Sequence, residues 1–139
     1  MRLPALLCAT LGLAACVSPA ISGPEIAGID WHLVGIEGQE FAAPASLRLD
    51  GDKLSGKAPC NRWFGTNAAA LPAIAIEAIG ATKMACPDLA AESAYFEALQ
   101  AMQRAELDQD HLYLIGAEGR IMEFAKDANE PCLSCLARQ

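Results

Sequence analysis

The chain has 139 residues, 53% of them apolar, with 10 Lys and Arg against 17 Asp and Glu and a net charge of −7. That length and apolar share suit one domain with a single core. An acidic balance argues against nucleic acid and against electrostatic adhesion to anionic lipid.

The first residues read as a targeting segment. Met1-Arg2 carries one positive charge, Leu3 to Leu13 is almost wholly apolar, and Ala14-Ala15 precedes Cys16. This is the charged, apolar and small-residue order of a secretory signal, too short to span a bilayer as a helix. Leu13-Ala14-Ala15-Cys16 resembles the lipobox of bacterial lipoproteins. The resemblance implies that residues 1–15 are removed and that Cys16 carries acyl chains, palmitate among them, which anchor the protein to a membrane. Two or more chains hold a protein stably where one does so only marginally. Val17 rather than Asp follows the cysteine, which points to the outer membrane, facing the periplasm. Residues 16–29, with Ser18, Pro19, Ser22, Gly23 and Pro24, show no apolar period and read as a flexible tether.

Removing Cys8 with the signal and Cys16 by lipidation leaves Cys60, Cys86, Cys132 and Cys135. Thiols tend to pair in an oxidising compartment, and four allow three pairings. The closeness of Cys132 and Cys135 favours joining them to each other, leaving Cys60 with Cys86. The first of these bridges closes a short loop in a tail, residues 127–139, expected to lie outside the core and to matter little to stability.

In residues 30–126 the elements are short. Trp31 to Ile36 alternates as a half-buried strand, and Ser46 to Asp50 and Lys53 to Lys57 flank a turn at Gly51. Leu89 to Arg104 is rich in Ala, Glu, Gln and Leu, with Leu89, Phe96, Leu99 and Met102 on one helical stripe. His111 to Ile115 and Arg120 to Phe124 form a second hairpin. Strands, helix, strands in this order predict an α+β fold, a mainly antiparallel β-sheet of short strands packed on one principal α-helix.

Trp31-x-Leu33 with Gly38, Cys60-Asn61-Arg62 with Gly65, Thr82-Lys83-Met84-Ala85-Cys86, and Glu92-x-x-Tyr95-Phe96-x-x-Leu99 occur in that order. This succession resembles the META domain family of HslJ-like bacterial lipoproteins. The resemblance implies a non-enzymatic envelope protein linked to stress or drug tolerance, without a cofactor, and with an envelope protein as a further partner besides the membrane. Pro59 stands where the family has glycine, which removes a backbone donor at the entry to Cys60.

Three candidate sites remain. Cys60 or Cys86 with His32 or His111 could supply a nucleophile and base, but bridged cysteines offer no thiolate. Cys132-x-x-Cys135 lacks the second ligand pair that zinc needs and the βα context of redox motifs. Asn61, Arg62, Trp63 and Phe64 form the candidate binding segment, because aromatic residues beside Arg and Asn suit recognition, as in a small-ligand or inhibitor-type binder. The same residues can instead complete the core and satisfy a loop.

Overall fold

A computed structural model describes residues 23–137. The signal expected over residues 1–15 and the acylation expected at Cys16 lie outside the described residues. Nine strands form one antiparallel sheet: β1 (Trp31–Ile36), β2 (Gln39–Glu40), β3 (Ser46–Asp50), β4 (Lys53–Lys57), β5 (Arg62–Asn67), β6 (Ile76–Ala81), β7 (Met102–Asp108), β8 (His111–Gly116) and β9 (Ile121–Ala125). Three helices accompany them, α1 (Gly23–Ile26), α2 (Leu89–Gln100) and α3 (Leu133–Leu136). The architecture is the predicted α+β arrangement, with α2 as the principal helix.

The strand order is β6-β5-β4-β3-β1-β9-β8-β7, with β2 paired to β1. The two ends of this order also meet. Ile74 N–H donates to the Gln103 carbonyl and Ala105 N–H to that of Pro72, both at 2.8 Å. The segment leading into β6 thus seals the sheet against β7, and the sheet curls round one interior. Closure satisfies backbone groups that an open edge would leave exposed.

Alternation decides what fills that interior. Leu47 and Leu49 of β3, Leu54 of β4, Trp63 of β5, Leu112 and Leu114 of β8, and Met122 and Phe124 of β9 are all buried. Burying each such side chain contributes roughly 1.5–3 kcal/mol before chain entropy is counted. Tyr95, Ala98 and Leu99 bring the apolar face of α2 into the same cluster.

Three sequence expectations change. The helix ends at Gln100, Met102 belongs to β7, and Leu89 is 48% exposed. The predicted stripe spanned a boundary because Met102 is buried in both readings but by a strand. Of the expected tether, residues 23–29 are structured instead: Gly23–Ile26 is helical, Ile26 is fully buried and accepts from the Trp31 indole N–H at 3.0 Å, and Gly28 N–H bonds to Leu49. Finally, the C-terminal tail is part of the packing. Cys132 and Cys135 form a second buried cluster with Val34 and Ala125 on the outer face of β1 and β9.

Candidate functional site

The motif residues converge on the loop that enters β5. Glu92, in the first turn of α2, points its buried carboxylate at that loop. It accepts from Cys60 N–H at 2.9 Å, from Asn61 N–H at 2.8 Å and from the Asn61 Nδ2 amide at 2.7 Å. On its other side the Asn61 Oδ1 accepts from the Thr82 hydroxyl at 3.0 Å and from Met84 N–H at 2.7 Å. Cys60 and Cys86 are disulfide-bonded across the same junction, with Cα atoms 5.8 Å apart. A buried carboxylate and amide with every polar atom occupied make a stiff joint.

A second joint lies one strand further on. The Ser46 carbonyl accepts from the Trp63 indole at 3.1 Å and from the Tyr95 hydroxyl at 3.0 Å, tying β3, β5 and α2 together. Gly56 is opposite Trp63, and a Cβ there would run into the Ser46 carbonyl oxygen. Only glycine allows this approach. Burial pushes the Tyr95 hydroxyl pKa well above its ordinary range, against a smaller opposing effect of Trp63.

These joints hold one wall of an open cleft of about 920 Å³. Arg48, Ser55, Lys57, Arg62, Thr82 and Met84 line it, with Asp30 and His32 at one side. The binding segment divides by strand alternation. Asn61 and Trp63 are buried and structural, although both touch the cleft, while Arg62 and Phe64 are exposed. Arg48 is held by Asp30 and Asp50, whose carboxylates keep its pKa raised. A smaller depression of about 430 Å³ adjoins the cleft and shares His32, Ser46 and Lys57 with it. Its remaining wall is mostly apolar, from Phe41 to Ala45.

A buried polar group that sequence reasoning missed lies under the tail. Glu123 is fully buried and accepts from Leu133 N–H at 2.7 Å and Ser134 N–H at 2.8 Å, at the start of α3. His111 Nδ1 stands 2.8 Å from the same carboxylate, but the ring N–H is not aligned for a hydrogen bond. Cys132 and Cys135 are bridged beside it. The signal was slight: an acid within an apolar strand, Ile121-Met122-Glu123-Phe124, needs a partner if both faces are covered.

All four cysteines among the described residues are bridged, so none of them offers His32 or His111 a free thiol. Among the described residues no group of three or more His, Cys, Asp and Glu side chains is placed to hold a metal ion, and no helix is long and apolar enough to cross a membrane. The cleft brings the cations Arg48, Lys57 and Arg62 together beside the rigid joint of Asn61 and Glu92.

The fold is similar to that of a Burkholderia xenovorans protein solved by NMR, with TM-score 0.60, 21% identity, and coverage of 86% of this chain and 97% of that one. It is also similar to a crystal structure of a DUF4847 family protein from Bacteroides vulgatus ATCC 8482, with TM-score 0.60, 14% identity, and coverage of 78% and 99%. No curated protein matches the sequence. The family model of the META domain matches residues 24–129, which takes in all but the first residue of α1 and all nine strands and stops short of the Cys132–Cys135 bridge. The chain belongs to the META domain family.

Proposed function

We propose that this META-domain protein is a non-enzymatic binding lipoprotein of the cell envelope, held by acyl chains on Cys16 at the periplasmic face of the outer membrane, with a role in tolerance of envelope stress or drugs. The observation that carries the binding part is the open cleft of about 920 Å³ beside the Cys60–Trp63 loop, whose floor is fixed by Glu92, Asn61 and the Cys60–Cys86 bridge. Concave sites on preformed scaffolds suit small ligands, because little ordering entropy is lost on binding. The lipobox-like Leu13-Ala14-Ala15-Cys16 supports the anchor.

A protein partner is the second reading. Phe64 and Met84, each 63% exposed beside the cleft, favour it.

A photo-crosslinking residue placed at Ser55 in cells tests the binding reading. A small-mass adduct supports a ligand, a protein-sized adduct supports the partner, and no adduct in any envelope fraction rejects the cleft as a site. The anchor is tested separately by Cys16→Ser, which should abolish acyl incorporation. Retention of that variant on membranes after a high-salt wash would reject acyl anchoring, since salt removes only electrostatic adhesion.

A further inference from the structure

The cations of this acidic chain are not evenly used. Among the described residues Arg48, Arg104, Arg120 and Lys126 each meet a carboxylate within 3.5 Å. Among the described residues Lys53, Lys57, Arg62 and Lys83 meet no carboxylate, and of these Lys57 and Arg62 are cross-strand partners at the end of the β4–β5 hairpin. Like charges directly opposed on one sheet face destabilise the pair. Lysines are often explained as guards of an exposed sheet edge, yet β4 and β5 are interior strands here. Both side chains line the cleft, with Arg48 and His32, against Asp30 as its one acid. The cleft therefore reverses the sign of a chain whose net charge is −7. Lys57 also borders the adjoining depression, whose wall from Phe41 to Ala45 is mostly apolar.

We propose that the cleft binds an amphiphilic anion, its phosphate- or carboxylate-type head group between Lys57 and Arg62 and its apolar part along Phe41 to Ala45. This rests on the cleft being a binding site and adds the class of its ligand. Arg62 supplies a planar fork for two oxygens and Lys57 a point charge, so an anion between them removes the repulsion that the empty pair carries. A lipid head group and a free amphiphile share this chemistry.

Dodecyl phosphate, dodecyl maltoside and vesicles of phosphatidylglycerol or phosphatidylcholine distinguish the cases when titrated into the isotope-labelled full chain and followed by NMR. Dodecyl phosphate should shift Lys57, Arg62 and the Phe41 to Ala45 segment together. Lys57→Gln and Arg62→Gln should each weaken it about tenfold, and each unliganded variant should melt no lower than the parent. Lys53→Gln, on the same strand outside the cleft, should leave affinity unchanged. Response to phosphatidylglycerol but not phosphatidylcholine vesicles assigns the anion to a membrane lipid, and response to dodecyl phosphate alone assigns it to a free amphiphile. Equal binding of dodecyl maltoside, or undiminished dodecyl phosphate binding in both variants, overturns the anion inference while leaving the cleft a binding site. If no amphiphile shifts the cleft and the Ser55 crosslinker captures nothing, both fall.

Discussion

The Nδ2 amide of Asn61 donates to Glu92 Oε1 at 2.7 Å, joining the loop before β5 to the first turn of a helix 31 residues later. The backbone N–H groups of Cys60 and Asn61 donate to the same carboxylate. Glu92→Ala would leave three donors unpaired in a buried setting and should lower unfolding free energy by roughly 3 kcal/mol or more. Urea denaturation followed by tryptophan fluorescence measures it, since Trp63 is next to the joint. A loss below about 1 kcal/mol, the net worth of a single hydrogen bond, would mean that water replaces the carboxylate without strain.

The Cys60–Cys86 bridge closes a loop of sequence separation 26 over the same junction. Loop entropy makes the bridge worth about 3.5 kcal/mol, so a Cys60→Ala, Cys86→Ala chain should lose a comparable amount. Because the bridge and Glu92 fix one loop, the two losses should not add. A double-mutant cycle with Glu92→Ala should show coupling above about 0.5 kcal/mol. Strict additivity would show that the loop is held at two independent points.

Much of this architecture is legible in the chain because local and global preferences agree. Gly51 takes φ +65° between two alternating runs, as a tight hairpin requires, and the β8–β9 hairpin and the helix start follow equally local signals. No clear sequence signal marks the strands β2, β5, β6 and β7. Arg62-Trp63-Phe64-Gly65-Thr66-Asn67 carries two consecutive aromatics and a register shift between Phe64 and Thr66, so its period is broken where the pairing is irregular. Met102 to Asp108 follows the helix with only Ala101 between, and the helical composition masks the change. In the binding segment, composition singled out Asn61 to Phe64, but only the strand pairing separates buried Asn61 and Trp63 from exposed Arg62 and Phe64. The opposed Lys57 and Arg62 cannot be seen before the register of β4 on β5 is known.

Stability should fall in alkali. Burial pushes the Tyr113 pKa up from 10.0 to about 12, with Glu123 and Asp108 adding to the effect, and burial raises Tyr95 further still. An unfolded tyrosine ionises near 10.0, so above that pH the unfolded chain holds fewer protons than the folded one and loses less by releasing them. Stability contributed by protonated Tyr113 is therefore complete below pH 10 and declines between 10 and 12, while Tyr95 continues the decline beyond. Guanidinium midpoints from pH 8 to 11.5 should be level and then drop, and Tyr113→Phe should make the drop shallower. A decline that is complete before pH 10 would assign it to other groups.

The tail offers the sharpest departure from what its position in the chain suggests. Glu123 holds the first amides of α3, and the Cys132–Cys135 bridge rests on β1, where a Cβ on Gly35 would collide with Cys132 Sγ and lie 3.0 Å from that of Cys135. Alternation puts Val34 in this outer cluster while Leu33 stays in the main core, and the bulge between Leu33 and Gly35 in the β1–β9 pairing keeps the Gly35 position on the same side as Val34. Glu123→Ala should release the tail and cost roughly 2–4 kcal/mol, from two unpaired amides and an exposed apolar patch. Gly35→Ala should release it by steric conflict alone, with the polar contacts left intact in sequence. Removing the bridge by Cys132→Ala and Cys135→Ala should cost about 2 kcal/mol from loop entropy. Amide exchange separates the local effect from the global one: in Gly35→Ala the amides of Leu133 and Ser134 should exchange far faster while those of Leu112 and Leu114 keep their protection. Unchanged exchange at Leu133 and Ser134 would show that the tail is held by something other than its seat on Gly35.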